Sequence, residues 1–289
     1  MSAGPARVVL LAHPAAHSLS PRMHDAAFAA AGVPARYAAL DVPPAELAAA
    51  VARLRAAPYL GANVSVPHKE AVARLVDELT GAARAVGAVN TVVRHGARLV
   101  GHNTDAPGFL RGLAELGFDP AGAGCLVLGA GGAARAVVWA LLGAGARVVV
   151  VNRDAARAER LVADLEAAGA PAGRATAAPT AAPHLPAARL LVNTTSVGMA
   201  GGPDPDGLPL LTPAQLAALP AGAGVVDLVY RPALTPLLRA AAARGHATQN
   251  GLPMLLWQGA LAFEAWTGRP APAAVMREAL ERGLAGSPA

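Results

Sequence analysis

The chain has 289 residues, a formal net charge of +5, and a hydrophobic content of 54% against 15% charged residues. This composition excludes a disordered chain, and the length allows two modest domains with hydrophobic cores. No apolar run reaches the roughly 18 residues of a membrane span and the first residues lack the shape of a signal peptide, so we expect a cytoplasmic protein without a membrane partner. The single cysteine, Cys125, excludes a disulfide framework and a cysteine-rich metal site, and we predict no bound metal.

The positive charge comes from arginines that are scattered along the chain, with few aromatic residues between them, so we predict no nucleic-acid partner. Lys69 is the only lysine among the 24 basic residues. A lysine can lose its proton when it is desolvated and an arginine cannot, so this exception indicates chemistry that needs an amine. The alternative is an ordinary solvated lysine.

The first predicted strand covers residues 8–12, and a helix is predicted to begin at Ser20-Pro21 and to end at Gly32. We expect Ser20 to be the N-cap of this helix, with Pro21 in its first turn. Ser18 lies two residues earlier and is not needed as a cap. Two hydroxyls at a helix N-terminus suit a carboxylate ligand, although an ordinary capped helix is the alternative.

Residues 60–69 are predicted to pass from a strand through a loop into a helix that runs to about Leu79. Asn63 and Ser65 alternate with valines, which places both polar side chains on one side of the strand end. Lys69 falls in the first turn of the helix, where the helix dipole disfavours a cation. This unfavourable position again indicates a functional amine.

Asn90 interrupts the next apolar strand, and Asp105 ends the strand that pairs with it, just before a predicted helix. The simplest interpretation makes Asp105 an N-cap. The alternative pairs its carboxylate with the amine of Lys69, which it would hold and orient for proton transfer.

The segment from Cys125 to Arg153 has the pattern strand, glycine-rich turn, helix, strand over about 30 residues, which is typical of a dinucleotide-binding unit. In this interpretation Gly129 allows the tight turn, Gly131 allows close approach of a pyrophosphate, and Ala134 allows the helix to pack on the sheet. The turn and the helix N-terminus supply N–H groups to the phosphates. The predicted contacts are Gly129, Ala130, Gly131, Gly132 and Ala133. A packing turn without cofactor is the alternative.

The end of the second strand in this unit indicates which dinucleotide binds. NAD sites usually place an acidic residue there for the ribose 2′-OH, whereas this chain has Asn152-Arg153, with Arg157 one helical turn later. Two guanidiniums favour a 2′-phosphate, and we therefore predict NADP(H) as the cofactor. Asp154 is the one feature that opposes this interpretation.

Further strands are predicted over residues 190–193 and 225–230, separated from the first unit by an Ala/Pro/Thr-rich stretch at 171–186. Polar residues after residue 193 lie where an open α/β sheet binds its ligand. Gln258 interrupts the apolar face of a long C-terminal helix. A buried amide without a partner costs about 1–3 kcal/mol, so we expect it to meet a ligand or a backbone group.

Nine motifs in this order resemble shikimate dehydrogenase over nearly the whole chain. They are His17-Ser18-Leu19-Ser20-Pro21, residues 61–69, residues 87–91, Asn103-Thr104-Asp105, residues 129–134, Asn152-Arg153, residues 193–199, Asp227 with Tyr230-Arg231-Pro232, and residues 251–258.

The resemblance implies a two-domain α/β fold. An N-terminal α/β substrate domain (1–106) precedes a Rossmann-like NADP domain (107–249), and C-terminal helices (250–289) return to the first domain. It also implies reversible NADPH-dependent reduction of 3-dehydroshikimate to shikimate in chorismate and aromatic amino-acid biosynthesis, with substrate in the cleft between the domains and a monomeric or homodimeric protein.

Carried over by position, the resemblance makes Lys69 and Asp105 the catalytic pair. It assigns the substrate to Ser18, Ser20, Asn63, Ser65, Asn90, Tyr230 and Gln258, of which the two serines would hold the carboxylate. It adds Asn152, Arg153, Arg157, Thr195, Met199 and Gly251 to the cofactor contacts. Ser65 stands where the family usually has threonine, a change that keeps the hydroxyl.

Two alternatives stay open at the level of sequence. Relatives that oxidise quinate or use NAD share most of these motifs, so the chain is alternatively a quinate/shikimate dehydrogenase using NAD. A non-catalytic metabolite sensor on the same fold is the second alternative, and the intact Lys69 and Asp105 argue against it because a sensor needs no proton relay.

Overall fold

The computed structural model describes residues 4–16 and 18–285, so His17 of the first serine motif lies outside the described residues. The fold is α/β, with two six-stranded sheets that belong to two compact units. The first unit comprises the chain up to Gly108 and again from Leu255, and the second unit runs from Phe109 to Met254. The predicted α/β class with C-terminal helices in the first unit is confirmed.

The N-terminal part consists of strands and helices that mostly alternate, as the hydrophobic periodicity predicts. In chain order they are β1 (Ala6–Ala12), α1 (Ser20–Ala30), β2 (Ala35–Asp41), α2 (Leu47–Arg53), β3 (Tyr59–Val64), α3 (Lys69–Val72), β4 (Glu78–Leu79), α4 (Gly81–Val86), β5 (Thr91–His95), β6 (Arg98–His102) and α5 (Asp105–Glu115).

The rest of the chain is also built of strands and helices and ends in two helices. The elements are β7 (Gly124–Leu128), α6 (Gly132–Gly143), β8 (Arg147–Val151), α7 (Ala155–Ala167), β9 (Ala175–Ala178), β10 (Leu190–Asn193), β11 (Gly224–Asp227), α8 (Pro236–Ala242), β12 (Ala247–Gln249), α9 (Leu252–Thr267) and α10 (Ala273–Ala285). Among the described residues, none of these helices has the combination of length and apolar character that a bilayer span requires.

The sheet of the first unit has the order β2-β1-β3-β5-β6-β4. Its first three strands are parallel, and β5 runs antiparallel to both β3 and β6. The all-parallel sheet of the second unit has the order β12-β11-β10-β7-β8-β9. In this doubly wound sheet the order reverses between β7 and β10, and the carboxyl ends of strands at such a point are where open α/β sheets bind ligands.

Two sequence predictions about the first unit are wrong. The helix that begins at Lys69 does not run to Leu79, because residues 78–79 pair with β6 at Val100 and Gly101 as strand β4. The Asp77 carboxylate also accepts the N–H of Leu99 at 2.8 Å. These non-local bonds override the local helical pattern, which is how tertiary context commonly defeats propensity.

The second wrong prediction concerns the N-cap of α1. Leu19 occupies the cap position, Ser20 is the first helical residue, and no side chain caps the helix. Ser18, which the sequence did not need as a cap, accepts the N–H of Ser20 on its Oγ at 3.2 Å. Ser20 itself is buried.

The Ala/Pro/Thr-rich stretch at 171–186 contains a strand that the sequence does not reveal. Residues 175–178 form β9 at the edge of the second sheet, paired in parallel with β8. Alanine has a low preference for strands, so this segment carries no strand signal of its own. Its pairing with the strongly apolar β8 determines its conformation.

Helix α9 packs on the first sheet through Trp266, whose indole lies against Gly61. Trp266 donates its Nε1–H to the carbonyl oxygen of Val92 in β5 at 2.9 Å. Gly61 in the neighbouring β3 leaves room for this contact, because a Cβ there would overlap the Val92 oxygen and lie 2.7 Å from Trp266 Nε1. Gly61 is therefore required by close packing.

We expect Gly61→Ala to lower the free energy of unfolding by about 1–3 kcal/mol, the usual cost of overpacking a buried site. Urea denaturation measures this difference. Gly81→Ala is the matched control, because a Cβ on this first residue of α4 meets no atom within 4 Å. The control should be as stable as the parent or slightly more so, since alanine is the better helix former. Equal stability of the two variants would contradict the packing argument.

Candidate active site and cofactor site

Lys69 and Asp105 form a partly buried ion pair in the first unit. Lys69 begins α3 and Asp105 begins α5, and the distance from Lys69 Nζ to Asp105 Oδ2 is 2.6 Å. Their side chains are 13% and 5% exposed. The other carboxylate oxygen, Oδ1, accepts the side-chain N–H of Asn90 at 3.0 Å. Both oxygens of Asp105 are engaged, so the carboxylate is fixed against the amine. Asp105 does not cap α5 in the expected way, since the carboxamide oxygen of Asn103 accepts the N–H of Ala106.

Asn90 is the centre of a buried hydrogen-bond network around this pair. Its Nδ2 lies 2.8 Å from Thr104 Oγ1 and 3.2 Å from Gln258 Oε1, in addition to its bond to Asp105. Its Oδ1 accepts the backbone N–H of Thr104 at 2.7 Å. Gln258 donates its own side-chain N–H to the carbonyl of Leu255 at 2.8 Å, so this amide has the backbone partner expected from its position.

Asn63 joins the same network from β3. Its Nδ2 donates to the carbonyl of Asn90 at 3.2 Å and to Thr91 Oγ1 at 3.1 Å, and its Oδ1 accepts the hydroxyl of Tyr37 at 2.8 Å. Ser65 lies just past the end of β3 and is half-buried. Its backbone N–H donates to the carbonyl of Leu11, and its carbonyl accepts the N–H of His68 in the turn before Lys69.

Three residues of this network, Tyr37, Thr91 and Thr104, were not among the predicted site residues. Each is buried and each bonds a predicted substrate residue through its hydroxyl. Thr91 and Thr104 stand inside the quoted motifs, directly after Asn90 and before Asp105. Tyr37 carries no local signal, because its partner Asn63 is 26 residues away.

The glycine-rich turn of the second unit has the geometry that its sequence predicts. Gly129 has a positive φ of 109°, and a Cβ there would lie 2.5 Å from Thr194 Oγ1. A Cβ at Gly131 would meet nothing within 4 Å, so the space over this residue is open. Gly131 also occupies the N-cap position of α6, where no side chain accepts a hydrogen bond from the helix N-terminus. The first N–H groups of α6 are thus not capped by a side chain and suit an anion.

The end of β8 shows how Asp154 is used. This residue caps α7, accepting the backbone N–H of Arg157 on Oδ1 at 3.1 Å. A carboxylate at a helix N-terminus is stabilised by the cap and by the helix dipole. Asn152 donates its side-chain N–H to the Asp154 carbonyl at 3.0 Å, and Arg157 Nε donates to the carbonyl of Ala130 at 2.9 Å. The N-cap role therefore explains why an aspartate stands at position 154, without any contact to a ribose.

A second buried carboxylate, Asp227, organises the loops that follow β10 and β11. Its Oδ1 accepts from Asn193 Nδ2 at 2.8 Å and from the N–H of Val229 at 3.0 Å, and its Oδ2 accepts from Thr235 Oγ1 at 2.7 Å. Asn193 in turn holds Thr195, accepting both its N–H and its hydroxyl. Asp227 thereby reaches the predicted cofactor residue Thr195 through one amide.

Burial raises the pKa of Asp227 from 3.8 to about 6, while its three hydrogen bonds act in the opposite direction. Because the native chain binds this proton more tightly than the unfolded chain, the contribution of Asp227 to stability falls as the pH rises from about 4 to 6. Above that window the contribution is constant.

Tyr230, Met199 and Gly251 lie on the loops of the second unit. Tyr230 is half-buried after β11, and Met199 is exposed. Gly251 donates its N–H to the carbonyl of Val229 at 3.1 Å, and a Cβ on it would overlap the carbonyl of Leu228. This position needs glycine for packing, whether or not a ligand passes over it.

Three family models match successive parts of the chain. The family model for the shikimate dehydrogenase substrate-binding domain matches residues 10–92. The model for shikimate/quinate 5-dehydrogenase matches residues 113–184, and that for the shikimate 5′-dehydrogenase C-terminal domain matches residues 251–281.

Individual relatives agree with these matches. The shikimate dehydrogenase (NADP(+)) of Symbiobacterium thermophilum is 50% identical over 99% of this chain and 98% of its own length. The structure of shikimate 5-dehydrogenase from Thermus thermophilus in complex with NADP(H) and shikimate has 42% identity and a TM-score of 0.85, covering 96% of this chain and 100% of that one. Quinate dehydrogenase from Corynebacterium glutamicum in complex with NAD has 30% identity and a TM-score of 0.84, covering 97% of this chain and 100% of that one.

The sequence identity to the Symbiobacterium protein extends over nearly the whole of both chains, and the fold, the Lys69–Asp105 pair and the glycine turn agree with the resemblance. The chain therefore belongs to the shikimate dehydrogenase family.

Proposed function

We propose that this protein catalyses the reversible NADPH-dependent reduction of 3-dehydroshikimate to shikimate. The observation that carries the proposal is the Lys69–Asp105 pair, held at 2.6 Å and fixed from behind by Asn90. The Symbiobacterium relative is named shikimate dehydrogenase (NADP(+)) and is 50% identical over 99% of this chain. An amine beside a fixed carboxylate suits a reaction that must add or remove one proton at a substrate oxygen.

The residues present fit the NADP(H) that the family implies. The open space over Gly131 and the first turn of α6, which no side chain caps, suit a pyrophosphate at the contacts Gly129, Ala130, Gly131, Gly132 and Ala133. Arg153 and Arg157, with Asn152, would hold the 2′-phosphate, and Thr195, Met199 and Gly251 would contact the rest of the cofactor. When bound, the nicotinamide supplies or accepts the hydride.

Lys69 is the proposed proton donor and acceptor at the substrate oxygen. In the reductive direction its ammonium gives a proton to the oxygen of the carbonyl whose carbon receives the hydride. In the oxidative direction the neutral amine takes the proton back from the hydroxyl. Asp105 keeps the Nζ atom in place, and Asn90 keeps Asp105 in place. The protein thus transfers one proton, whereas the cofactor would carry the two electrons of the hydride.

Substrate recognition is proposed to divide into two ends. Ser18 and Ser20, at the start of α1, would hold the carboxylate. The ring hydroxyls would meet Asn63, Ser65, Asn90 and Gln258, with Tyr230 as a further contact. All of these except Tyr230 lie in the first unit. The expected cytoplasmic location and monomeric or homodimeric state are part of the same proposal.

The direct test follows the absorbance of reduced nicotinamide with purified protein, pairing shikimate or quinate with NADP⁺ or NAD⁺. Activity largely confined to shikimate with NADP⁺ supports the proposal. Comparable rates with quinate or NAD⁺ would instead make the protein a quinate/shikimate dehydrogenase. Cofactor binding without turnover of any pair would indicate a metabolite sensor.

We expect Lys69→Ala to lower kcat by about 10²–10⁴-fold, the usual contribution of a positioned acid–base group, with a smaller change in KM for shikimate. Steady-state kinetics with NADP⁺ measure both. Lys69→Arg separates charge from proton transfer, because arginine keeps the ion pair but does not give up its proton. It should also turn over slowly.

The control for these variants is Arg98→Ala, which removes an exposed ion pair with Glu78 in the same unit. Exposed pairs contribute little, so its kinetics should match the parent. Near-parental turnover by Lys69→Ala would show that the proton is handled elsewhere.

We expect Arg153→Ala to raise the KM for NADP⁺ by about 10- to 100-fold, the loss of a charge-assisted hydrogen bond, and to leave the much weaker use of NAD⁺ unchanged. Arg160→Ala is the matched control, since Arg160 is an exposed arginine on α7, the helix that follows Arg153. If both variants, or neither, change the ratio of NADP⁺ to NAD⁺ use, Arg153 is not the selective residue.

A further inference from the structure

Tyr37 occupies a rigid position inside the first unit. It lies on β2 with 5% of its surface exposed, and its backbone N–H donates to Asp25 Oδ1 at 2.9 Å. The ring of His24 stacks on its ring with centroids 4.6 Å apart and planes 10° apart. Trp266 packs edge-on against His24 at 5.2 Å. These contacts fix the direction in which the Tyr37 hydroxyl points.

The hydroxyl of Tyr37 bonds one residue of the proposed substrate site. It donates its proton to Asn63 Oδ1 at 2.8 Å. Burial raises the pKa of Tyr37 far above its ordinary value. The raised pKa keeps Tyr37 a donor throughout the working pH range.

The hydrogen bonds of Asn63 leave its side-chain amide with one unused acceptor site. Both N–H groups of its Nδ2 are occupied, one by the carbonyl of Asn90 and one by Thr91 Oγ1. Its Oδ1 has two lone pairs, and Tyr37 uses one of them. The orientation of this amide is therefore set by its neighbours, and what it can offer a ligand is a single acceptor site. Such a site selects a ligand group that donates an O–H.

We propose that Tyr37 is a positioning residue for substrate binding, which fixes the side-chain amide of Asn63. This inference rests on the proposed function, in which Asn63 meets a ring hydroxyl of the substrate. One buried phenol thus sets the orientation of the acceptor that this hydroxyl would meet. It does so without touching the substrate, and no residue of the cofactor site is involved.

The test replaces the phenol by phenylalanine, which removes one oxygen and keeps the ring stack. Tyr37→Phe should raise the KM for shikimate by about 3- to 10-fold, because Asn63 loses the one neutral hydrogen bond that holds its acceptor oxygen. The KM for NADP⁺ should not change. Tyr59→Phe is the matched control, because Tyr59 begins β3, the strand that carries Asn63, and is half-buried. Its kinetics should equal those of the parent.

A double variant distinguishes positioning from general packing. If Tyr37 acts through Asn63, the KM increase caused by Tyr37→Phe should shrink when Asn63 is already alanine, because coupled residues are not additive. An increase of the same size in the Asn63→Ala background would overturn the proposal. The proposal would also be overturned if Tyr37→Phe had the parental KM for shikimate. The same holds if the variant raised the KM for NADP⁺ as much as that for shikimate and also lowered the melting temperature.

The parent enzyme in the same assay separates this inference from the proposed function. If the parent does not turn over shikimate with NADP⁺, the proposed function fails and the role of Tyr37 in shikimate binding fails with it. If the parent is active and Tyr37→Phe behaves like Tyr59→Phe, only the positioning role is overturned.

Discussion

The buried charge of Asp105 is the constraint on which the first unit's site depends. Placing a carboxylate and an ammonium out of water is costly unless each is paired and further hydrogen bonds satisfy what remains. Lys69 satisfies one oxygen and Asn90 the other. Asn90 must then be held itself, and Thr104, just before α5, and Gln258, on α9, do this. A single ion pair thereby brings the C-terminal helices into the organisation of the N-terminal unit.

The second unit also contains a buried carboxylate, and neutral donors stabilise it. Asp227 is as deeply buried as Asp105, yet its partners are an amide, a hydroxyl and a backbone N–H rather than a cation. The difference fits the two tasks. An amine beside Asp105 can exchange a proton with a substrate, whereas the donors around Asp227 cannot, so that carboxylate serves to hold the loops after β10 and β11. A buried acid is therefore not by itself a sign of catalysis, and the nature of its partner decides.

The sequence predicted the dinucleotide unit almost to the residue because its signals are local. A strand, a glycine turn and a helix within about 30 residues each have their own pattern. The strands β4 and β9 were missed because their conformation comes from pairing with β6 and β8, which no local pattern reports. The Ser20 cap was wrong because the helix begins one residue earlier than predicted, so that Leu19 occupies the cap position and Ser20 the first turn. Lys69 and Asp105 were predicted as a pair from residue type, and the structure brings them together.

What residue type cannot supply is the direction of hydrogen bonds. All six asparagines lie in loops or at strand ends, and each donates its amide N–H to another group, whether that group is a near neighbour in the chain or lies on a distant element. Asparagine can donate and accept, so its presence in a motif leaves its function toward a ligand undefined. At Asn63 the surrounding carbonyl and hydroxyls use every donor and leave one acceptor. What the Asn63 side chain can bind is thus determined by Tyr37, Asn90 and Thr91. These residues come together only when the sheet of the first unit has formed.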